Sequence, residues 1–246
     1  MNATTAFDND RYRDAYPAGI DRSWWHVARN AVVAHAFTKH IPRDARVIEV
    51  GCGTGIVTNA LRERGWNVTG VDLGEPRHGL LSKEHLLLGT DALTLPIDLR
   101  RSFTTLALFD LMEHIADAPA FVRSLLEAYP NVRQVVITVP AGKQLWTNFD
   151  DHYGHFRRYD VPLLREEADS AALRMEHIAY FFHGLHPVIR LNNLLRGKER
   201  DLRFLAPATG LSSGMHKVLG TCFALEARVL PDRLPGTSII AVAHRR

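Results

Sequence analysis

The chain is poor in cysteine, with only Cys52 and Cys222 in 246 residues. Cys52 lies inside a glycine turn, so a structural disulfide is not expected and a reducing cytoplasm is the expected compartment. No uninterrupted apolar stretch approaches the length of a membrane span. The first ten residues, Met1-Asn2-Ala3-Thr4-Thr5-Ala6-Phe7-Asp8-Asn9-Asp10, lack the basic region and apolar run of a secretory signal. Internal repeats and low-complexity tracts are missing too. Histidine is plentiful, at 13 residues, but scattered without zinc-ligand spacing, so no metal is expected.

The rest of the composition is that of an ordinary globular domain, 46% hydrophobic and 23% charged. The length suffices for one α/β domain with a sizeable core, or a core with an elaboration. A net charge of +3 is unevenly placed, because residues 183–246 hold ten Lys and Arg against four Asp and Glu. A basic tail suits an anionic substrate or a membrane surface, and equally an ordinary solvated face.

The organising stretch is Arg46-Val47-Ile48-Glu49-Val50-Gly51-Cys52-Gly53-Thr54-Gly55. A β-branched apolar run passes through three alternate glycines into the helix-compatible residues Ile56 to Arg64, which reads as strand, tight turn and helix. Glycines there permit positive φ and let backbone N–H groups approach a nucleotide-like ligand. A second strand, Trp66 to Val71, ends in Asp72, where an acid can accept both ribose hydroxyls. A dinucleotide fingerprint would need its third glycine where Ile56 stands. Glu49, two residues before the first glycine, would repel a pyrophosphate and suits the ammonium of a methionine moiety. Both features argue against a nicotinamide-dependent dehydrogenase.

Val47-Ile48-Glu49-Val50-Gly51-Cys52-Gly53-Thr54-Gly55 resembles motif I of class I S-adenosylmethionine-dependent methyltransferases. The resemblance implies a doubly wound, Rossmann-like α/β fold: a seven-stranded sheet, mostly parallel with an antiparallel last strand, and helices on both faces. It also implies S-adenosylmethionine as cofactor, held by Glu49, Gly51, Cys52, Gly53, Thr54, Gly55, Asp72 and Leu73. A third short strand within 84–92 ends in Asp91-Ala92, which by the same resemblance lies against the adenine, the carboxylate accepting its exocyclic amine. The fourth strand, Thr104 to Phe109, runs into Asp110-Leu111-Met112-Glu113-His114, which resembles the "D-V-L-E-H" pattern of small-molecule methyltransferases and adds Asp110 and Leu111 to the cofactor site. No proline or aromatic residue immediately follows Asp110, so a base-flipping enzyme with a nucleic-acid partner is disfavoured.

The fifth strand, Gln134 to Val139, leads into Pro140-Ala141-Gly142-Lys143-Gln144-Leu145-Trp146-Thr147-Asn148-Phe149-Asp150-Asp151-His152-Tyr153-Gly154-His155-Phe156-Arg157-Arg158-Tyr159. Loops at the carboxyl ends of such strands form ligand sites. The segment resembles the corresponding loop of bacterial methyltransferases with type 11/12 domains, most of which act on small molecules. Trp146, Tyr153 and Tyr159 can wall a pocket, and Arg157 and Arg158 can hold an anion. His155, with His114 second, has the chemistry of a general base. The alternative is a loop stapled by Asp–Arg pairs, with His155 as a structural hydrogen-bonder.

The division expected is an N-terminal helical cap over 1–44, a cofactor-binding core over 45–182, a helical insertion over 183–235 and the last strand over 236–246. In the cap, a helix from Arg22 to Ile41 presents Trp25, Ala28, Val32 and Ala36 as a buried stripe. Trp24, Trp25, His26 and Arg29 either close over a ligand or pack the core. The insertion holds two amphipathic helices. Pro187 to Arg196 carries Val188, Leu191 and Leu195, with a basic stretch to Arg203, and Gly214 to Leu230 carries Val218, Leu219, Cys222, Phe223 and Leu225. They suit a substrate lid, a homodimer interface or a peripheral membrane contact. The expected reaction is methyl transfer to an oxygen of a small molecule, with nitrogen, carbon or lipid-carried acceptors and a non-catalytic cofactor-binding subunit as alternatives.

Overall fold

A computed structural model describes residues 15–75, 81, 82, 84–202, 206 and 209–246. Arg203 and cap residues 1–14 lie outside the described residues. Strands β1 (Arg46–Val50), β2 (Asn67–Val71), β3 (Leu86–Leu87), β4 (Thr105–Phe109), β5 (Gln134–Pro140), β6 (Leu173–Phe181) and β7 (Ser238–Arg245) form one sheet in the order β3-β2-β1-β4-β5-β7-β6. β1 to β5 pair in parallel, and β7 runs antiparallel to both β5 and β6. The strand order reverses between β1 and β4, so a crevice opens beyond their carboxyl ends, where an α/β sheet takes its ligand.

Helices are α1 (Trp24–His40), α2 (Ile56–Arg62), α3 (Ile97–Ser102), α4 (Ala118–Ala128), α5 (Asn148–His152), α6 (Val161–Ser170), α7 (Leu185–Arg196) and α8 (Leu211–Val229). The central strands are buried on both faces, which is why they read as apolar runs without alternation. Ile48, Leu106, Leu108, Val135 and Ile137 pack with Val122 and Leu125 of α4 and Leu164 of α6. Val47, Ala107, Phe109 and Val136 face the other way, onto Val33 and Phe37 of α1 and Val57 and Leu61 of α2. These two cores clamp the sheet and hold its carboxyl-end loops in register.

The third strand is shorter than the sequence suggests. Gly89 takes a φ of 63° and donates its N–H to the Gly74 carbonyl, while Thr90 donates to the Asp72 carbonyl, so the chain turns back over β2 after two paired residues. Asp91 therefore stands in a turn and not at a strand end. A short helix, α5, arises inside the stretch after β5 that the sequence reads as loop, and α3 forms in a stretch the sequence reading left unassigned. A reciprocal cap between Thr147 and Asp150 starts α5.

In the cap, Ser23 accepts the His26 N–H and starts α1. Ala28, Val32 and Ala36 are buried as the periodicity predicts, while Trp25 is half-buried beneath the Arg29 guanidinium, 4.6 Å from its ring centroid. The insertion's second helix packs on this cap. Gly220 of α8 lies against the Trp24 carbonyl and Val27, and Phe223 meets Trp24 at 5.2 Å between ring centroids. Val188, Leu191 and Leu195 of α7, by contrast, are exposed. Among the described residues, no helix is long and apolar enough to cross a membrane.

Candidate active site

β1 ends in the glycine turn, and all three of its glycines have positive φ. Gly53 shows why: at φ 54°, a Cβ there would stand 3.0 Å from the Tyr16 hydroxyl. The Gly53 N–H donates to Asp72 Oδ2 at 2.7 Å, and the Gly74 N–H donates to Oδ1 at 2.7 Å. The acid predicted to meet a ribose is therefore fixed by two amides beside the turn. Glu49 is buried at the strand end, with the Thr58 hydroxyl donating to its Oε2. Burial pushes its carboxyl up to about 7, with the Thr58 hydrogen bond pulling the other way. Burial likewise raises the Cys52 thiol well above its ordinary range, so Cys52 is an inert wall of the turn.

Asp110 ends β4 with a φ of 50°, a left-handed conformation that Asp tolerates better than most residues. Its Oδ1 accepts the Thr138 hydroxyl at 3.1 Å, and its Oδ2 forms an ion pair with Arg29 of α1. Arg29 Nε is buried without a hydrogen-bond partner among the described residues, a donor that a ligand carboxylate would satisfy. Tyr16 completes this end, its phenol raised by burial and set among Arg29, Asp72, Asp110 and Glu49. At the turn expected to meet an adenine, Asp91 Oδ1 accepts the Leu93 N–H at 2.9 Å, and Tyr129 donates to the Ala92 carbonyl at 2.7 Å. Leu73 is 38% exposed there, and Leu111 packs against Gly51.

The second half of the site joins β4 to the loop after β5. His155 Nδ1 lies 2.8 Å from Asp150 Oδ1, the same oxygen that accepts Arg158 Nε at 2.7 Å. Asp150 Oδ2 takes the Thr147 N–H at 2.9 Å. Burial alone would raise the Asp150 carboxyl, but the hydrogen bonds from His155 and Arg158 outweigh it and hold Asp150 below the usual carboxylate range. His114 stands 4.6 Å from His155 between ring centroids, nearly perpendicular. Burial first, then the neighbouring His155, lower His114 to about 4, which keeps it neutral at pH 7. Glu113 is buried beside both histidines, and its carbonyl accepts the Phe156 N–H at 2.7 Å, tying the loop to β4.

The loop's other candidates divide. Tyr159 is in the core, not on a pocket wall, and its hydroxyl donates to Glu167 Oε2 at 2.9 Å. Arg157 pairs with Glu167 at 2.8 Å and Arg158 with Asp150, so both brace the loop instead of presenting a bare cation. Tyr153 is buried against Phe149, at 4.5 Å between ring centroids. Trp146 is half-buried, its Nε1 donating to Asp151 at 3.0 Å. Arg29 was visible only as one of four cap residues, and Tyr16, Glu113 and Asp150 carried no assigned role. Glu113 adjoins a candidate histidine and Asp150 lies five positions before another, which is the signal that could have found them.

The methyltransferase-domain family matches residues 24–191, and the chain belongs to it. The ubiquinone biosynthesis O-methyltransferase of Methylobacterium nodulans is 28% identical over 160 residues, covering 52% of this chain and 62% of that protein. The ubiquinone biosynthesis O-methyltransferase of Pseudomonas entomophila is 30% identical over 86 residues, covering 32% of this chain and 37% of its own. The chain thus spans only 37% to 62% of the length of these curated relatives. Among solved structures, an S-adenosylmethionine-dependent methyltransferase from Archaeoglobus fulgidus has a TM-score of 0.50 at 19% identity, covering 88% of this chain and 94% of that one. The magnesium protoporphyrin IX methyltransferase of Synechocystis, solved with bound S-adenosylhomocysteine, has a TM-score of 0.52 at 13% identity, covering 96% and 93%. At these identities the likeness is one of fold, and that fold is the class I methyltransferase fold read from the sequence.

The residues present fit the family's cofactor. The glycine turn allows close backbone approach, Glu49 is a buried acid that could meet an ammonium, Arg29 Nε lacks a partner among the described residues and could meet a carboxylate, and Asp72, fixed by two amides, could accept from a ribose.

Proposed function

We propose that this protein transfers a methyl group from S-adenosylmethionine to an oxygen of a small-molecule acceptor. The observation that carries the reading is the His155–Asp150 pair, set against His114 and Glu113 at the loop end of the crevice. An amine can attack with its own lone pair, whereas a hydroxyl must lose a proton, and a carboxylate-oriented histidine is a device for taking it. The names of the O-methyltransferase relatives support the same choice.

Glu49, Arg29 and Asp72 would hold the ammonium, carboxylate and ribose of the cofactor, with Asp91 and Leu73 at its adenine. When bound, the cofactor supplies a sulfonium methyl whose positive charge vanishes on transfer, so no oxyanion hole is required. The chain's work is positioning and deprotonation. Asp150, held by Arg158 and the Thr147 amide, orients His155 to receive the acceptor's proton, and neutral His114 lines the same wall. Near-attack placement is worth on the order of 7–11 kcal/mol, and a positioned base a factor of about 10²–10⁴.

The test is incubation with isotopically labelled S-adenosylmethionine and extract of the source cell, followed by mass spectrometry of whatever becomes heavier by one CH₂. A labelled methyl ether is expected, and a labelled N-methyl product would overturn the choice of oxygen.

A second reading, a lipid-carried acceptor met at a membrane surface, is favoured by one observation. α7 exposes Val188, Leu191, Leu194 and Leu195 beside the basic residues Arg190, Arg196 and Lys198. α7 and the stretch after it lean on the loop after β5, α7 through His186 and Gln144 at 3.1 Å and the following stretch through the Arg200 N–H, which donates to Asn148 Oδ1 at 2.8 Å. Apolar side chains ringed by cations suit an anionic bilayer. Sedimentation with anionic liposomes at low salt and release at high salt is expected on this reading, and no sedimentation would remove it.

A further inference from the structure

We infer that the outer face of α8 is the surface on which a second copy of this chain docks, the two α8 helices packing antiparallel about a two-fold axis. The proposed function gives this helix no task. Its inner face rests on the cap, where Gly220 and Ala224 are buried and His216 Nδ1 accepts the Trp24 N–H at 3.1 Å. Its outer face carries Leu211, Met215, Val218, Cys222, Leu225 and Val229. Every one of these side chains is exposed, Leu211 by 83% and Val229 by 79%.

The steps between these positions are four, three, four, three and four residues. That alternation averages about 3.5 residues and keeps one seam of knobs along the whole helix, the pattern by which two helices interlock. A helix lying on lipid needs no such step, and on an anionic surface it carries lysine or arginine along its edges. Here the positions bordering the seam are Ser212, Gly214, Leu219, Thr221, Glu226 and Arg228, so Arg228 alone is basic. The face is built to meet a helix.

The seam is also complementary to itself, as an interface between identical copies requires. Turned end for end, it fills every layer: Leu211 meets the partner's Val229, Met215 the partner's Leu225 and Val218 the partner's Cys222. Leu219, exposed as well, falls beside the two-fold axis and meets the partner's Leu219. Charge favours the same direction. The two Arg228 side chains lie at opposite ends, each beside the partner's Gly214, and the two helix dipoles oppose each other, whereas a parallel pair would bring like charge to one end. α8 has 19 residues and is about 28 Å long. The seam and Leu219 offer roughly 700 Å² per protomer, close to the ~800 Å² per partner of a stable interface.

The test is analytical ultracentrifugation of the full chain at micromolar concentration, alone and with Met215→Lys or Leu225→Glu. Wild type should sediment as a dimer, and each variant should dimerise at least tenfold more weakly, because it carries a charge into an apolar layer. Mixing the two variants should restore a dimer with one copy of each, since the antiparallel register sets the introduced lysine against the introduced glutamate. Both residues are exposed, and circular dichroism with a thermal melt checks the fold of each variant. If either fails that check, Val218→Glu and Cys222→Lys make the same test in the central layer. A monomeric wild type overturns the inference, whether or not it sediments with phosphatidylglycerol vesicles. A dimer that withstands both substitutions overturns it too, as does a mixture of folded variants that stays monomeric.

Discussion

Arg29, in the second turn of α1, forms an ion pair with Asp110 at the end of β4, 81 positions later in the chain. The pair ties the N-terminal cap to the point where the sheet's strand order reverses, and on the proposed reading the cap would wall the cofactor site. Arg29→Ala should weaken S-adenosylhomocysteine binding roughly 10- to 150-fold, the range of about 1.5–3 kcal/mol for a hydrogen bond to a charged group. It should also lower Tm, because Asp110 loses its cation. Calorimetry and a thermal melt read both effects, and an unchanged affinity would take Arg29 out of the crevice.

Asp72→Ala should weaken binding by a similar factor, about 1.5–3 kcal/mol. The Gly53 and Gly74 amides lose their acceptor as well, so the glycine turn should exchange its amide hydrogens faster. Calorimetry with NAD should show no binding to either protein, since Ile56 stands where a dinucleotide turn needs glycine. An Asp72→Ala protein with wild-type affinity would remove this acid from the site.

What the sequence made legible was local. The glycine turn, Glu49 and Asp72 are separated by short, regular stretches, and one strand–turn–helix–strand unit forces them together. The seven-stranded sheet with its antiparallel last strand followed from the family resemblance, whereas the strand order came only with the structure. Arg29 and Tyr16 were harder, because the cap meets the crevice only through long-range packing that no periodicity encodes. Tyr159 misled for the opposite reason: an aromatic in a rich loop looks like a pocket wall, but the buried Glu167 two turns into α6 draws its hydroxyl into the core. The mate of α8 was invisible too, since a small residue such as Gly220 signals a close helix crossing only once the crossing is seen.

Gly220→Val tests that crossing. A Cβ at Gly220 would lie 2.7 Å from the Trp24 carbonyl oxygen and the same distance from the Val27 Cβ. Backbone cannot yield as a flexible side chain can, so the variant should lose about 1–3 kcal/mol of stability, the usual cost of overpacking. Denaturant unfolding measures it. Unchanged stability would mean that α8 does not rest on α1.

Glu49 gives a pH prediction. Its carboxyl, pushed up to about 7 by burial, is largely protonated below that pH in the free protein. The folded state then holds a proton that an unfolded glutamate has released above about 4.5. This group's contribution to stability is therefore full below about 4.5 and is lost as pH rises toward 7. Cofactor binding runs the other way. An ammonium needs the carboxylate, so affinity should fall about tenfold per pH unit below 7, with proton release on binding. Calorimetry at pH 6 in buffers of different ionisation enthalpy reads that proton directly, and identical heats in all buffers would contradict the role given to Glu49.

The Asp150–His155 pair gives the last prediction. Asp150 is wholly buried and bonded to His155, Arg158 and the Thr147 amide, so on the proposed reading it would act on the acceptor only through the imidazole it orients. His155→Ala should lower kcat by about 10²–10⁴ and leave S-adenosylhomocysteine affinity nearly intact, because deprotonation matters in the transition state and not in cofactor binding. Asp150→Asn should follow in the same direction with a smaller loss, since an amide oxygen can still accept from Nδ1 but no longer carries the charge that stabilises a positive partner. The double variant should be no slower than His155→Ala alone, for once the imidazole is gone its orienter has nothing left to orient. Steady-state kinetics on all three proteins decides it. Additive losses in the double variant would show that Asp150 serves catalysis by a route other than His155, and a His155→Ala enzyme with wild-type turnover would take both residues out of the chemistry.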